Sequence, residues 1–226
     1  MAKDQGSLPA GGYYPVFLDL KHRRSVVVGG GKIAERKALA LLRAGTDLTV
    51  ISPEITRKME AEKKKGRIKH IRRQYRKGDL KGVFLVIAAT DSVEVNEMVS
   101  RHAQCLVNIV DTPGLCNFIV PSVVKRGSMM VAISTSGISP ALSRSIRKEI
   151  ERLYPPVFSQ YLKSLRGIRA KALKGIGDKR RRTVLLKSLA ADQMLRLLRE
   201  KGCGETKRRA VNLLKKAEGK GDRHGY

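Results

Sequence analysis

The 226-residue chain has no tryptophan, and only 4% of its residues are aromatic. This scarcity argues against a large stacking surface for single-stranded nucleic acid. No uninterrupted apolar run reaches the roughly 18 residues that a membrane-spanning helix needs. Residues 1–12 also lack the basic-then-apolar order of a signal peptide. We therefore expect a cytoplasmic protein with no membrane-bound part.

Cysteine and histidine are few and widely separated. Cys105, Cys116 and Cys203 show no CxxC spacing, and any disulfide between two of them leaves the third unpaired. The four histidines form no cluster with ligand spacing. We therefore expect reduced thiols and no tightly held metal ion. For Cys116 a plain loop thiol is favoured, with a thiol that lines a site as the alternative.

Basic residues dominate the charge of the chain, whose formal net charge is +27. Residues 1–150 carry a net charge of +13 and residues 151–226 a net charge of +14, so the excess is densest in the last third. A solvated cationic surface is one interpretation. A polyanionic ligand and a nucleic acid are the two others that charge alone leaves open.

A glycine-rich stretch near the N-terminus organises the sequence. A β-branched run ends in Gly29, Gly30 and Gly31 and passes directly into a helical pattern. Gly29, Gly31 and Ala34 match the spacing of the dinucleotide fingerprint, in which the glycines allow a tight turn and a close approach to a pyrophosphate. The N-terminus of the helix then offers oriented N–H groups to the anion. A tight turn without a ligand is the simpler alternative.

Strand and helix patterns alternate after this turn. Such alternation predicts an α/β fold, a Rossmann-like parallel sheet with helices on both faces. An additional small strand is predicted at residues 18–20, ahead of the first main strand. The main strands are predicted at residues 25–28, 48–51, 68–71, 83–89 and 106–110, and the helices at residues 32–44, 54–65 and 93–102.

The tip of the second strand bears on the choice of cofactor. NAD-binding sheets place an acidic residue there, against the ribose hydroxyls. In this chain the tip is Ser52-Pro53-Glu54, so the carboxylate is displaced by a few residues. No arginine follows the strand directly, and Arg57 with Lys58 stands one turn further on. The pattern favours NAD over NADP.

The pattern changes after residue 113. Residues 118–121 and 129–134 are strand-like, with a turn predicted at residues 125–127. A hydroxyl-rich turn then leads into a helix at residues 140–153, for which Ser139 suits the N-cap and Pro140 the first helical position. Further helices are predicted at residues 157–174, 179–198 and 205–217, with a break at residues 201–204. A flexible lead over residues 1–14 and a frayed end over the last eight residues complete the expectation.

Five motifs occur in a fixed order along the chain and together identify a family. They are Val27–Lys37, Ala88–Asp91, Asn108–Asp111, Phe118–Ser122 and Ile133–Pro140. In this order they resemble the precorrin-2 dehydrogenase family of sirohaem synthesis, over about residues 13 to 170. Some members of that family are fused to a methyltransferase, and some also insert iron.

The resemblance implies NAD-dependent oxidation of precorrin-2 to sirohydrochlorin, with optional insertion of Fe²⁺ as a second reaction. It implies a homodimer and three regions: an NAD-binding domain at 1–114, a dimerisation region at 115–153 and a basic helical domain at 154–226. The motif carboxylate maps onto Asp111, the implied catalytic residue. The candidate cofactor contacts are Gly29, Gly31, Lys32, Ile33, Ser52, Pro53, Glu54, Thr90 and Asp91.

The candidate substrate contacts follow from the same resemblance and from the chemistry of the substrate. A tetrapyrrole with many carboxylates suits a basic chain, and arginine offers bidentate contacts to carboxylates. The candidates are Asn108, Ser134, Ser136, Gly137, Arg144 and Arg147. Two alternatives stay open: a member that only inserts iron, and a nucleotide-sensing regulator that binds nucleic acid through its basic helices.

Overall fold

The computed structural model describes residues 12–219, and the predicted lead and frayed end lie largely outside them. These residues divide into two compact units. The N-terminal unit holds residues 12–120 and 136–138, and the C-terminal unit holds residues 121–135 and 139–219. The division into three regions stays a prediction.

The N-terminal unit is built on a five-stranded parallel sheet in the order β3-β2-β1-β4-β5. This order is that of a Rossmann-like sheet, and it confirms the predicted α/β class. Its elements are β1 (Arg24–Val28), α1 (Lys32–Arg43), β2 (Asp47–Ile51), α2 (Arg57–Lys64), β3 (Ile68–Ile71), β4 (Leu85–Ala88), α3 (Val93–His102) and β5 (Leu106–Ile109).

Burial explains why these residues form the sheet. All four residues of β4 are buried, as expected for a central strand that is covered on both faces. On one face, Ala34 and Ala38 of α1 pack against Val27 and Val50. The small alanine side chains let the helix lie close to the strands, which is the packing that the fingerprint requires.

Most boundaries in this unit lie within two residues of the prediction, and two elements differ by more. Residues 18–20 form no strand, because Leu20 is buried in the core while its carbonyl accepts the N–H of Arg23 in a turn. The apolar residues of this stretch therefore indicate burial in the core and not pairing with another strand. The second helix begins at Arg57 rather than at Glu54, since Thr56 is its N-cap and accepts the N–H of Met59.

The C-terminal unit joins an antiparallel hairpin to four helices. The hairpin consists of β6 (Ser122–Arg126) and β7 (Met129–Ile133), and α4 (Pro140–Leu153) packs against β6. Ser139 caps α4 as predicted, accepting the N–H of Leu142, and Pro140 opens the helix. The remaining helices are α5 (Val157–Gly175), α6 (Lys179–Leu189) and α7 (Asp192–Ala217).

The first strand of the hairpin lies later in the chain than predicted, whereas the second lies where it was predicted. Residues 118–121 are not a strand, and β6 continues through Lys125 and Arg126, which were predicted as turn residues. Only Gly127, with φ of +62°, and Ser128 are needed for the turn. Arg126 is held in the strand because its guanidinium donates to the carbonyl oxygens of Tyr154 and Glu151, at 2.7 and 3.3 Å.

The predicted helix at 179–198 is two helices, which was missed. The hydroxyl of Tyr161 donates to the carbonyl of Leu189 at 2.8 Å, and α6 ends at that residue. Burial raises the pKa of this phenol to about 12, so it remains a donor. The break predicted at residues 201–204 is confirmed as a kink inside α7, where Gly202 has a φ of +75°.

Within the described residues, no helix combines the length and the apolar character that crossing a membrane demands.

Candidate active site

A cavity of about 940 Å³ opens at the carboxyl ends of the parallel strands. This is the edge where open α/β sheets bind their ligands. Its lining comes from the loops after β1, β2, β4 and β5, together with Gln74 and Tyr75. It includes every predicted cofactor contact and the predicted catalytic residue, namely Gly29, Gly31, Lys32, Ile33, Ser52, Pro53, Glu54, Thr90, Asp91 and Asp111.

The three glycines of the first loop have different steric roles. Gly29 has a φ of +118°, and a Cβ there would lie 2.2 Å from the carbonyl oxygen of Ala89. A Cβ on Gly30 would lie 1.7 Å from the carbonyl oxygen of Glu54. A Cβ on Gly31 would meet nothing within 4 Å. Gly29 and Gly30 therefore hold the strand ends together, and Gly31 leaves space open.

The N-terminus of α1 is uncapped. Gly31 is the N-cap residue, and among residues 12–219 no side chain forms a capping hydrogen bond with this helix. The first N–H groups of a helix have no partner within the helix, and they attract anions. A pyrophosphate fits this arrangement, because it would accept hydrogen bonds where no protein group does.

The tip of β2 is fixed by the neighbouring strand. Ser52 is buried, and its carbonyl accepts a hydrogen bond from Nε2 of His70 at 2.9 Å. Its own N–H donates to the carbonyl of Ile71 at 3.2 Å. Pro53 and Glu54 are exposed beside it. The tip therefore offers a rigid backbone with one exposed carboxylate.

The loop after β4 is held by the side chain of Asn96, which sequence reasoning missed. The hydroxyl of Thr90 donates to Oδ1 of Asn96 at 2.9 Å, and Nδ2 of Asn96 donates to the carbonyl of Thr90 at 3.0 Å. Ser92 caps α3 by accepting the N–H of Val95 at 3.2 Å. Asp91 remains exposed in the cavity lining.

Asp111 follows β5 with a φ of +59°, which is uncommon for a residue other than glycine. Such a conformation costs of order 1 kcal/mol or more and persists where surrounding structure imposes it. Cys116 provides that structure. Its Sγ accepts the N–H of Ile109 at 3.1 Å and lies 3.3 Å from the carbonyl oxygens of Ile109 and Thr112.

The state of the Cys116 thiol agrees with this role. Burial raises its pKa, so the thiol keeps its proton near neutral pH and can donate to one of the two carbonyls. The hydrogen bonds join positions on both sides of Asp111. Cys116 therefore closes the loop that carries this carboxylate, and it is absent from the cavity lining.

Lys37 is a further charged neighbour that sequence reasoning missed. Burial, and then the charge of Arg36, lowers the pKa of its ammonium, while the Asp111 carboxylate acts in the opposite direction. Lys37 stands on α1 directly before Ala38. Ala38 is buried in the core on one face of the sheet, and Val110, the residue before Asp111, packs against the same core. A half-buried cation therefore lies close enough to Asp111 to interact with its charge.

Asn108, a predicted substrate contact, has a structural position. It is 9% exposed, and Nδ2 donates to the carbonyl of Phe118 at 3.1 Å. It does not belong to the cavity lining. Its amide instead ties β5 to the chain that returns after the Asp111 loop.

The other predicted substrate contacts lie after the hairpin. Ser134, Ser136 and Gly137 belong to the turn between β7 and α4, where Ser136 and Gly137 have positive φ values of 52° and 88°. Arg144 is exposed on α4, and Arg147 pairs with Glu151 at 2.6 Å. Their contacts with a substrate remain predictions. Among residues 12–219, no group of three or more His, Cys, Asp or Glu side chains is placed to hold a metal ion.

Two known families match consecutive parts of the chain. A family described as putative NAD(P)-binding matches residues 16–122. The central part of the sirohaem biosynthesis proteins matches residues 126–153. The first match spans the sheet and its cavity, and the second spans most of the hairpin together with α4.

Curated relatives and a solved structure agree with these matches. The siroheme synthase of Methylobacillus flagellatus is 46% identical over 149 residues, which are 65% of this chain and 32% of that protein. That of Photobacterium profundum is 43% identical over 63% of this chain and 31% of its own length. The chain thus spans about a third of these relatives.

The solved structure is similar over nearly the whole chain. SirC, a precorrin-2 dehydrogenase, superposes with a TM-score of 0.79 at 31% identity, covering 90% of this chain and 100% of that one. Since SirC is covered over its whole length at 31% identity, the fold and the sequence indicate the same family. The chain belongs to the precorrin-2 dehydrogenase family.

Proposed function

We propose that this chain oxidises precorrin-2 to sirohydrochlorin, with NAD⁺ as the oxidant. One observation carries the proposal: a single cavity combines the uncapped N-terminus of α1 with the carboxylate of Asp111. The first element suits the pyrophosphate of a dinucleotide, and the second suits a proton acceptor. SirC, which is similar over its full length, is named as a precorrin-2 dehydrogenase.

The residues present fit a nicotinamide dinucleotide. The N–H groups that open α1 would hold the pyrophosphate, and the tip at Ser52–Glu54 would face the adenosine ribose. When bound, the cofactor supplies the acceptor for the hydride that leaves the substrate. Glu54 is the acidic residue of the tip, and its carboxylate supports NAD as the oxidant.

Asp111 is proposed to take the proton that the macrocycle loses as the hydride departs. A carboxylate accepts a proton in its ionised form, and the half-buried ammonium of Lys37 lies close enough to interact with that charge. Cys116 fixes the loop on both sides of Asp111, so the carboxylate is held in one position before the substrate binds.

The substrate is a polycarboxylate, and the charge of the chain supports its capture. A net charge of +27 attracts a polyanion over distances longer than direct contact. Arg144 and Arg147 are proposed as carboxylate contacts near the turn that holds Ser134, Ser136 and Gly137. Arg147 would exchange its pairing with Glu151 for a substrate carboxylate. Asn108 would act through the Phe118 backbone that it binds.

The assay that tests the function follows the tetrapyrrole spectrum anaerobically. Precorrin-2 with NAD⁺ is expected to give sirohydrochlorin and an equal amount of NADH, and neither product should form when NAD⁺ is omitted. A second reaction supplies sirohydrochlorin and Fe²⁺ without any dinucleotide and tests iron insertion separately. Iron insertion with no oxidation of precorrin-2 would identify a member that only inserts iron.

We also propose that two copies pair through the hairpin. Val123 and Met130 lie on one face of the two-stranded sheet and are 42% and 44% exposed. Val124, on the other face, is fully buried. The exposed Lys125 shares this face with them. A two-stranded sheet is marginally stable alone, so the exposed Val123 and Met130 suit a partner.

Light scattering is expected to show a dimer for the full chain. Val123→Lys combined with Met130→Lys should shift the mass to that of a monomer, because each lysine would place an unpaired charge in the contact. Val184→Lys changes another exposed valine, on α6, and should leave the dimer intact. A dimer that survives the double substitution would contradict this assignment of the interface.

A further inference from the structure

A second recess, of about 610 Å³, adjoins the nucleotide cavity. The two share Pro53, Glu54 and Ile55 in their linings. The opposite side of the recess comes from α2 and from the end of β3. Since β3 is the direct neighbour of β2 in the sheet, the recess begins at the tip where the ribose is expected.

The lining of this recess is basic. Four cationic side chains contribute to it, against the two carboxylates of Glu54 and Glu60. Glu60 is paired with one of the four, at 3.3 Å. Within the described part of the chain, the other three form no ion pair with a carboxylate. The four are Arg57, Lys63, Lys64 and Arg72, and it is Lys63 that pairs with Glu60.

The wall between the two spaces is rigid. His70 lines the recess, and its Nε2 donates to the carbonyl of Ser52. The tip of β2 is thereby fastened to β3, which Arg72 directly follows. Arg57 stands at the first position of α2, three residues after Glu54. The two guanidinium groups therefore come from two elements that both follow the tip along the chain.

We propose that this recess accepts the 2′-phosphate of NADP, so that the chain binds NADP(H) as well as NAD(H). The inference rests on the proposed dinucleotide site. Arg57 and Arg72 would supply charge-assisted hydrogen bonds to the phosphate oxygens, which guanidinium groups bind in bidentate fashion. Glu54, on the shared wall, opposes the phosphate and keeps NAD(H) competitive.

The test is a binding titration of the full chain with NADH and with NADPH, followed by nicotinamide fluorescence. The two Kd values are expected to agree within about threefold. Arg57→Ala with Arg72→Ala should weaken NADPH binding by about tenfold or more, because two charged contacts are lost. The same change should leave NADH binding within about twofold. Both side chains are exposed, so the fold is expected to survive.

Two further variants sharpen the result. Glu54→Gln removes the opposing charge and should strengthen NADPH binding relative to NADH. Lys69→Ala removes an exposed cation from β3 that lies outside both linings, and it should change neither Kd. Added salt should weaken NADPH binding more steeply than NADH binding, since exposed charges are screened.

The outcomes separate the two proposals. One outcome would overturn the recess alone: NADPH binds about tenfold or more weakly than NADH, and the two arginine substitutions have no selective effect on NADPH binding. Failure of both dinucleotides to bind would overturn the cofactor site and the recess with it. Equal weakening of both dinucleotides by the arginine pair would also overturn the recess, because the arginines would then serve a part common to the two cofactors.

Discussion

Asp111→Asn is expected to lower kcat for precorrin-2 oxidation by about 100-fold or more, which is the usual contribution of a positioned general base. Asparagine has nearly the shape of aspartate but accepts no proton at neutral pH. It also tolerates positive φ well, so the backbone at +59° is preserved. The Kd of NADH should stay within about twofold, because the pyrophosphate contacts lie on another loop.

Asp111→Ala is the less informative change. Alanine is strained at positive φ, so it would disturb the loop as well as remove the carboxylate. Glu97→Gln is the matched control, since it removes one exposed carboxylate from α3 outside the cavity lining. Its kcat should equal that of the wild-type chain. Normal kcat in Asp111→Asn would remove Asp111 from the proton transfer.

The N-terminal unit was largely predictable, and the reason is local. The turn at Gly29–Gly31 joins a β-branched strand to a helix whose small residues recur at helical spacing, and both elements form as expected. Each buried strand is a short apolar run that ends in polar residues. The strand predicted at residues 18–20 is wrong. An apolar run indicates burial, and Leu20 is buried without pairing to another strand.

The C-terminal unit was less predictable. The first strand of the hairpin was predicted too early in the chain, because a basic pair before a glycine is typical of a polar turn. In the structure the carbonyls of Glu151 and Tyr154 accept from the Arg126 guanidinium and hold Arg126 in β6. The break after Leu189 was missed for a similar reason, since the phenol that meets its carbonyl lies 28 residues earlier. Contacts between distant residues decided both boundaries.

The cavity lining followed from one rule of topology. Parallel strands end at a common edge, so residues after β1, β2, β4 and β5 converge. What supports these residues was not visible. The close packing of Gly30 and the position of Arg72 depend on which strand neighbours which. The contacts of the Cys116 thiol depend on the path of the loop after β5. The order β3-β2-β1-β4-β5 supplies that information.

Gly31→Asp is expected to weaken NADH binding by about 100-fold or more, while the Tm of the chain stays equal or rises. The fold accepts a side chain at this position, because a Cβ meets nothing within 4 Å and φ is −78°. Aspartate is a favoured N-cap residue and would accept the unpaired N–H groups of α1. It would thereby occupy the donors proposed for the pyrophosphate and add a repelling charge.

Three companion variants separate charge, capping and space. Gly31→Asn caps the helix without a charge, so it should weaken binding less than Gly31→Asp does. Gly31→Ala only fills space and should weaken it least. Gly30→Ala should lower Tm instead, because its Cβ would lie 1.7 Å from the carbonyl oxygen of Glu54. If Gly31→Asp binds NADH as the wild-type chain does, the N-terminus of α1 holds no anion. An equal or higher Tm together with weaker NADH binding is therefore the result expected if the uncapped N-terminus of α1 binds an anion.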